Sequence, residues 1–165
     1  FGGLSKGYLV PGWRLGWAIV SGPGPALQPY IEGMHKLLRA RLSASHAPQY
    51  AIRPALEGPQ DHLQEVIAKL RARRDLTMQW CNSIPRMSCV EPRGAFYAFP
   101  RLAIEGSDEE FVKRLLIEKQ IMVVHGRGFG QTLATPHIRI VFLPEEATLE
   151  RAYRSIGDFM REHYP

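Results

Sequence analysis

Lys6 and Arg14 are the residues of this 165-residue chain whose types and setting are best suited to chemistry. Lys6 follows Gly2-Gly3-Leu4-Ser5 and precedes Gly7, so the backbone is permissive where the amine projects. Arg14 comes eight positions later, between Pro11-Gly12 and the apolar run Leu15 to Val20, so a turn delivers it at the mouth of a strand. A lysine amine must be partly deprotonated to attack a carbonyl, and a desolvated site beside other positive charge lowers its pKa enough to allow this. A guanidinium stays charged and offers a phosphate two parallel hydrogen bonds, which an ammonium cannot do. Taken alone, a loop lysine is a solvated charge, and Ser5 is either a hydroxyl near the phosphate or a small turn residue.

A second constellation lies far along the chain. In His137 to Pro144, HIRIVFLP, the alternation points Ile138, Ile140 and Phe142 to one face and Arg139 and Val141 to the other. An arginine in an otherwise apolar strand needs an anionic partner, either a substrate or a protein carboxylate. Phe96 either lines a pocket or belongs to the core. Gly126-Arg-Gly-Phe-Gly130 neither follows the right strand nor opens a helix, so it is not read as a phosphate loop. His46, His62 and His163 read as surface residues, His125 and His137 lie at strand ends, and no pair has zinc spacing, so no metal is expected.

The elements that must position these residues follow from periodicity. A strand is expected over Leu15 to Ile19, apolar on both faces as strands inside a covered sheet tend to be. Ser21-Gly-Pro-Gly-Pro25 breaks it, and a helix runs from about Ala26 to Leu42 with Leu27, Ile31, Met34, Leu38 and Leu42 as one buried stripe. A shorter helix spans about Ala47 to Glu57, ended by Gly58-Pro59. Leu63, Ile67, Leu70, Thr77 and Cys81 trace a long helix from about Asp61 to Asn82, ~33 Å at ~1.5 Å per residue, enough to tie two domains together. Strands follow at Met87 to Glu91 and Ala95 to Pro100. Ser107-Asp-Glu-Glu110 is a capping box that starts a helix to about Lys119 with Phe111, Leu115 and Leu116 on its apolar face. Ile121 to Val124 and Ile138 to Leu143 read as strands. Pro144 opens the final helix, Glu145 to about His163, with Leu149, Ala152, Ile156 and Met160 inward. From Ser83 onward this is a mixed sheet of about four strands with helices on one side.

Composition bounds the whole. With 45% hydrophobic and 22% charged residues the chain can bury a core, and no run of ~18 apolar residues would span a bilayer. A soluble, non-secreted protein is expected, with no membrane partner. The net charge is +5, but the basic segments Lys36 to Arg41 and Lys69 to Arg74 lack aromatic interleaving and read as solvated helix faces, so no nucleic-acid partner is expected. Cys81 and Cys89 are too few for a disulfide framework and point to a reduced compartment. The chain enters its first motif directly from Phe1, which reads as the tail end of a larger domain. The expected organisation is residues 1–25 from that domain, 26–82 as connecting helices and 83–165 as a small α/β domain.

The stretch from Gly3 to Gly16, GLSKGYLVPGWRLG, resembles throughout the attachment signature of the class I and II aminotransferases, fold type I enzymes that use pyridoxal 5'-phosphate (PLP). The resemblance implies that Lys6 forms the Schiff base with the PLP aldehyde, that Arg14 binds its phosphate, and that the freed Lys6 moves a proton at the substrate α-carbon. PRGAFY, Pro92 to Tyr97, is similar to the small-domain hairpin on the substrate side of the cofactor, which makes Phe96 a pocket candidate. HIRIVFLP is similar to the strand whose arginine holds the substrate α-carboxylate, a role that falls to Arg139. RLSASHAPQYAI and VVHGRGFG are most similar to alanine aminotransferases, although tyrosine aminotransferases share VPGWRLGW. The implied fold is α/β: the small α+β domain of a fold type I enzyme with a remnant of the large PLP-binding domain. The implied activity moves an amino group between an amino acid, alanine by the nearest resemblance, and a 2-oxo acid such as 2-oxoglutarate, in a cytoplasmic homodimer. The acidic partner of the pyridine nitrogen, the ring-stacking aromatic and the glycine-rich phosphate loop are expected upstream of Phe1, so this chain alone is expected to be inactive. The alternatives are a tyrosine, aromatic or aspartate aminotransferase, a ligand-sensing domain of a transcription regulator, and a lyase or decarboxylase on the same fold.

Overall fold

In the computed structural model, which describes residues 1–130 and 135–165, glycines let the first two strands meet. β1 (Gly2–Gly3) pairs antiparallel with β2 (Gly16–Trp17), Gly3 opposite Gly16. A Cβ on Gly3 would lie 2.9 Å from the Leu15 carbonyl oxygen, and one on Gly16 would lie 3.0 Å from that of Gly2, so larger residues would push the pair apart. The expected strand over Leu15 to Ile19 is thus cut to two residues. Leu15 is buried, but Ile19 is 81% exposed, because β2 has only β1 as a neighbour among the described residues.

The chain divides into two units, Phe1–Glu65 and Val66–Pro165, with the division inside one helix. In the first unit, α1 (Leu4–Gly7) is one helical turn and α2 (Gly24–Arg41) follows the glycine-proline break. The expected buried stripe of α2 is not buried. Leu27, Ile31 and Met34 are half-buried and Leu38 is exposed, since Ile31, Met34 and Leu38 border a cavity of about 670 Å³ with Trp17 and Val20 rather than a packed core. The expected helix over Ala47 to Glu57 splits into α3 (His46–Gln49) and α4 (Ile52–Glu57). Pro54 has no N–H to give the carbonyl of Tyr50, and its ring crowds that carbonyl, so the helix breaks there.

The second unit starts within α5 (Asp61–Ser83), whose Thr77 and Cys81 are buried as the periodicity predicts, while Ile67 is 46% exposed. β3 (Met87–Ser88) pairs antiparallel with β5 (Arg101–Leu102). β4 (Tyr97–Ala98) and β6 (Val124–His125) flank β7 (Ile138–Val141), again antiparallel. The mixed sheet of about four strands is therefore realised, among the described residues, as one three-stranded and one two-stranded antiparallel sheet joined by a bridge between Arg101 and His137. The expected strand from Ala95 to Pro100 is shorter because Ala95 takes a left-handed φ of 57° and Pro100 lacks a ladder donor.

α6 (Asp108–Lys119) starts as expected, with the Ser107 hydroxyl accepting the Glu110 amide at 3.1 Å. Its buried stripe is Phe111 and Leu115; Leu116 falls outside it and is 45% exposed. α7 (Glu146–His163) buries Leu149, Tyr153, Ile156, Phe159 and Met160, a wider stripe than the spacing alone suggests, whereas Ala152 is half-buried. These residues form one apolar core with Cys81, Phe96, Ala98, Ile138, Ile140 and Phe142. No helix among the described residues is long and apolar enough to cross a membrane.

Candidate active site

Lys6 stands on α1 rather than in a loop, and the turn is tied at both ends. Leu4 is buried, and its amide donates to the Leu15 carbonyl at 3.3 Å. At the other end Tyr8 donates its hydroxyl to Gln60 Oε1 at 3.1 Å, while Gln60 Nε2 donates to the carbonyls of Ala55 and Gly58 at 2.8 and 2.7 Å. Leu9 and Arg14 take left-handed φ values of 56° and 55° on either side of the Pro11–Trp13 turn. Such non-glycine residues each cost about 1–2 kcal/mol and persist only where their surroundings enforce them. One Arg14 donor reaches the Pro11 carbonyl at 2.9 Å, leaving most of the guanidinium fork facing outward. Lys6 and Arg14 are both exposed and Ser5 is half-buried, so the expected desolvation is not found within this unit: two short turns cannot cover an amine.

Arg139 belongs to the second unit and faces away from its core. Tyr97 is in register with Val141, two residues from Arg139 on the same face, and its ring lies 4.9 Å from the guanidinium carbon. Phe129 covers the guanidinium at 4.3 Å. Arg139 Nε is buried without a hydrogen-bond partner, and no aspartate or glutamate among the described residues forms an ion pair with Arg139. Phe99 and His137 extend the aromatic surround, stacked at 5.1 Å, with Phe99 edge-on to Phe129 at 6.1 Å.

The turn that presents Phe129, Gly126–Phe129, is held by the buried Asp108, whose carboxylate accepts the Arg127 amide at 3.0 Å. Gly126 donates to the His137 carbonyl at 2.7 Å. Sequence reasoning missed Tyr97, Phe129 and Asp108. The signal for Tyr97 was the alternation in Phe96-Tyr97-Ala98: Ala98 is in register with Ile140 on the core side, and Phe96, of the same parity, is 7% exposed within the core. Among the described residues no three histidine, cysteine or acidic side chains are grouped to hold a metal.

A model of the aminotransferases of class I and II matches residues 1–156. The chain belongs to this family. Aminotransferase sequences from several sources align over nearly its full length: the alanine aminotransferase of Mycobacterium tuberculosis is 40% identical over 97% of the chain and 38% of its own length. The glutamate-pyruvate aminotransferase of Escherichia coli is 34% identical over 99% of the chain and 42% of its own length. The solved structure of an alanine aminotransferase from Pyrococcus furiosus superposes with a TM-score of 0.90 at 39% identity, covering 98% of this chain and 41% of that one. The chain thus spans about two fifths of the length of these aminotransferases.

Class I and II aminotransferases depend on PLP, a phosphorylated aldehyde. The residues of the first unit fit such a group by their donor chemistry. Lys6 offers an amine, Arg14 a guanidinium fork and Ser5 a hydroxyl. The close approach of Gly3 and Gly16 pairs β1, which leads into the turn bearing Lys6, with β2, which follows Arg14.

Proposed function

We propose that this chain is part of a PLP-dependent aminotransferase that moves an amino group between alanine and a 2-oxo acid such as 2-oxoglutarate. The observation that carries the reading is Arg139, a strand arginine flanked by two rings, with a buried unpartnered Nε and no acidic partner among the described residues. Alanine, pyruvate, glutamate and 2-oxoglutarate all carry the carboxylate that such a fork binds. The names of the aligned relatives support the choice of alanine.

When bound, PLP supplies a carbonyl that takes up the amino group and a ring that withdraws electrons from the substrate α-carbon. Lys6 Nζ would be the amine that attaches the cofactor and the base that takes the proton from the substrate α-carbon. Arg14 would hold the phosphate with its guanidinium fork, and the Ser5 hydroxyl would donate a hydrogen bond to it. Arg139 grips the α-carboxylate, while Tyr97 and Phe129 hold the guanidinium plane and keep water from its faces. Phe96, packed in the core, supports the strand that carries Tyr97.

Because the chain spans about two fifths of its relatives, these residues supply part of a site, and alone they do not turn substrate over. Borohydride reduction of the whole protein with PLP, followed by peptide mapping, should place the cofactor on Lys6. Lys6→Ala should abolish both the label and alanine:2-oxoglutarate turnover. A label elsewhere, or turnover in Lys6→Ala, overturns the assignment; turnover by the 165-residue chain alone overturns its inactivity.

A further inference from the structure

Cys81 and Cys89, which the aminotransferase reading does not use, are brought together by the fold. Cys81 lies on the buried face of α5 and Cys89 immediately after β3. Asn82, the neighbour of Cys81, holds the Cys89 backbone from both sides. Its Oδ1 accepts the Cys89 amide at 2.9 Å, and its Nδ2 donates to the Cys89 carbonyl at 3.4 Å. This pair of bonds acts like one rung of a β-ladder, fastening Cys89 to the last turns of α5. Cys89 packs against the core cluster that contains Cys81, its thiol donates to the Val90 carbonyl at 3.4 Å, and Cys81 and Cys89 are each the largest influence on the other's pKa. Both are free thiols; Cys81 is fully buried and Cys89 half-buried. One thiol therefore meets solvent and the other waits behind it.

We propose that Cys81 and Cys89 form a redox-active dithiol that closes reversibly into an intramolecular disulfide when the protein meets a hydroperoxide. Cys89 is the attacking group. Its sulfur displaces the peroxide O–O bond, gaining the terminal oxygen as a sulfenic acid while the other oxygen leaves and takes up a proton. Cys81 resolves it: the S–S bond forms, the S–O bond breaks, and the departing oxygen leaves as water with the Cys81 proton. Two thiols and one hydroperoxide thus give one disulfide, one alcohol (or water) and one water. The peroxide is reduced by the two electrons the sulfurs lose. A dithiol reductant reverses the change by exchange.

The electrostatics assign the roles in the same sense. Hydrogen bonding from Cys81 lowers the Cys89 thiol to about 7, against the opposing effect of its partial burial. Cys81, bonded to Cys89 and buried, is pushed well above the ordinary thiol range and stays protonated. The exposed sulfur is thus a thiolate near neutral pH and the buried one a proton donor beside it, the division of labour expected of attacking and resolving thiols. A closed disulfide would tether the end of α5 to the segment leading to Pro92–Tyr97.

The test treats the purified whole protein with about one equivalent of hydrogen peroxide and maps its peptides without reduction. The expected result is concerted loss of the Cys81 and Cys89 thiols and a cross-linked peptide pair that dithiothreitol separates. Cys81→Ser should accumulate a Cys89 sulfenic acid that dimedone traps, and Cys89→Ser should leave Cys81 unmodified. Oxidation of Cys89 to a sulfinic acid while Cys81 of the unmutated protein remains a thiol overturns the proposal. So does cross-linking only between molecules. The unmutated protein alone decides the pairing, so a variant that fails to fold leaves the test intact.

Discussion

The two aromatic contacts of Arg139 make a graded prediction about substrate binding. Arg139→Lys keeps the charge but removes the planar fork and its contacts with the rings of Tyr97, at 4.9 Å, and Phe129, at 4.3 Å. Charge-assisted hydrogen bonds contribute about 1.5–3 kcal/mol, so losing the paired geometry should lower kcat/KM by about 10- to 150-fold. Phe129→Leu removes one ring and leaves the fork. A cation–π contact is worth about 0.5–1 kcal/mol at exposed sites and about 2 kcal/mol when desolvated. Phe129 is 47% exposed, so the lower range applies and the expected cost is about 2- to 5-fold. Both substrates carry an α-carboxylate, so steady-state assays on the whole enzyme should show KM rising for amino acid and oxo acid together, with kcat changing less in Phe129→Leu. Arg139→Lys with more than half of the original kcat/KM would refute the carboxylate role. Phe129→Leu as damaging as Arg139→Lys, at unchanged thermal stability, would refute the idea that the ring only steadies the fork.

Two further expectations rest on buried groups. The Thr77 hydroxyl donates to the Arg73 carbonyl at 2.7 Å, so in its 2.8 Å contact with Tyr153 the phenol is the donor, and burial holds that phenol above its ordinary pKa. Tyr153→Phe should cost about 1 kcal/mol, whereas Thr77→Val strands a buried donor and should cost about 1–3 kcal/mol in urea unfolding; the reverse order would show that the donor is misassigned. The alkylation rate of Cys89 by iodoacetamide should rise with pH through a midpoint of about 7, because the thiolate reacts and its pKa is lowered. Cys81→Ala should move that midpoint up toward the ordinary ~8.5, and an unmoved midpoint would mean that Cys81 does not set it.

The helices were legible because periodicity is a local signal: α2, α5, α6 and α7 begin and end close to where spacing and capping place them. The strands were not, because a strand is as long as its partner allows. β6 forms at Val124–His125, where Arg139 and Ile138 face it, and not over Ile121 to Val124, where the apolar run suggested. Likewise the stripe of α2 is correctly spaced, yet spacing states which residues share a face and not what covers that face. Leu38 stays exposed for that reason.

The site was legible to the extent that chemistry names a residue type. An amine and a guanidinium among glycines are residue types a phosphorylated aldehyde needs, but Lys6 and Arg14 were separable from solvated charges only through the resemblance of Gly3 to Gly16 to the attachment signature. Arg139 could be picked out, but its partner could not, since a strand arginine serves a protein carboxylate equally well. What bears on the two is the register of β4 against β7, set between segments more than 40 residues apart. That register puts Tyr97 rather than Phe96 beside Arg139, and the Asp108–Arg127 bond holds the turn whose Phe129 also lies against the guanidinium. Aromatic rings can hold a guanidinium without neutralising it. A cation held in that way, with no acidic partner among the described residues, has donors open to a carboxylate, which supports the role proposed for it.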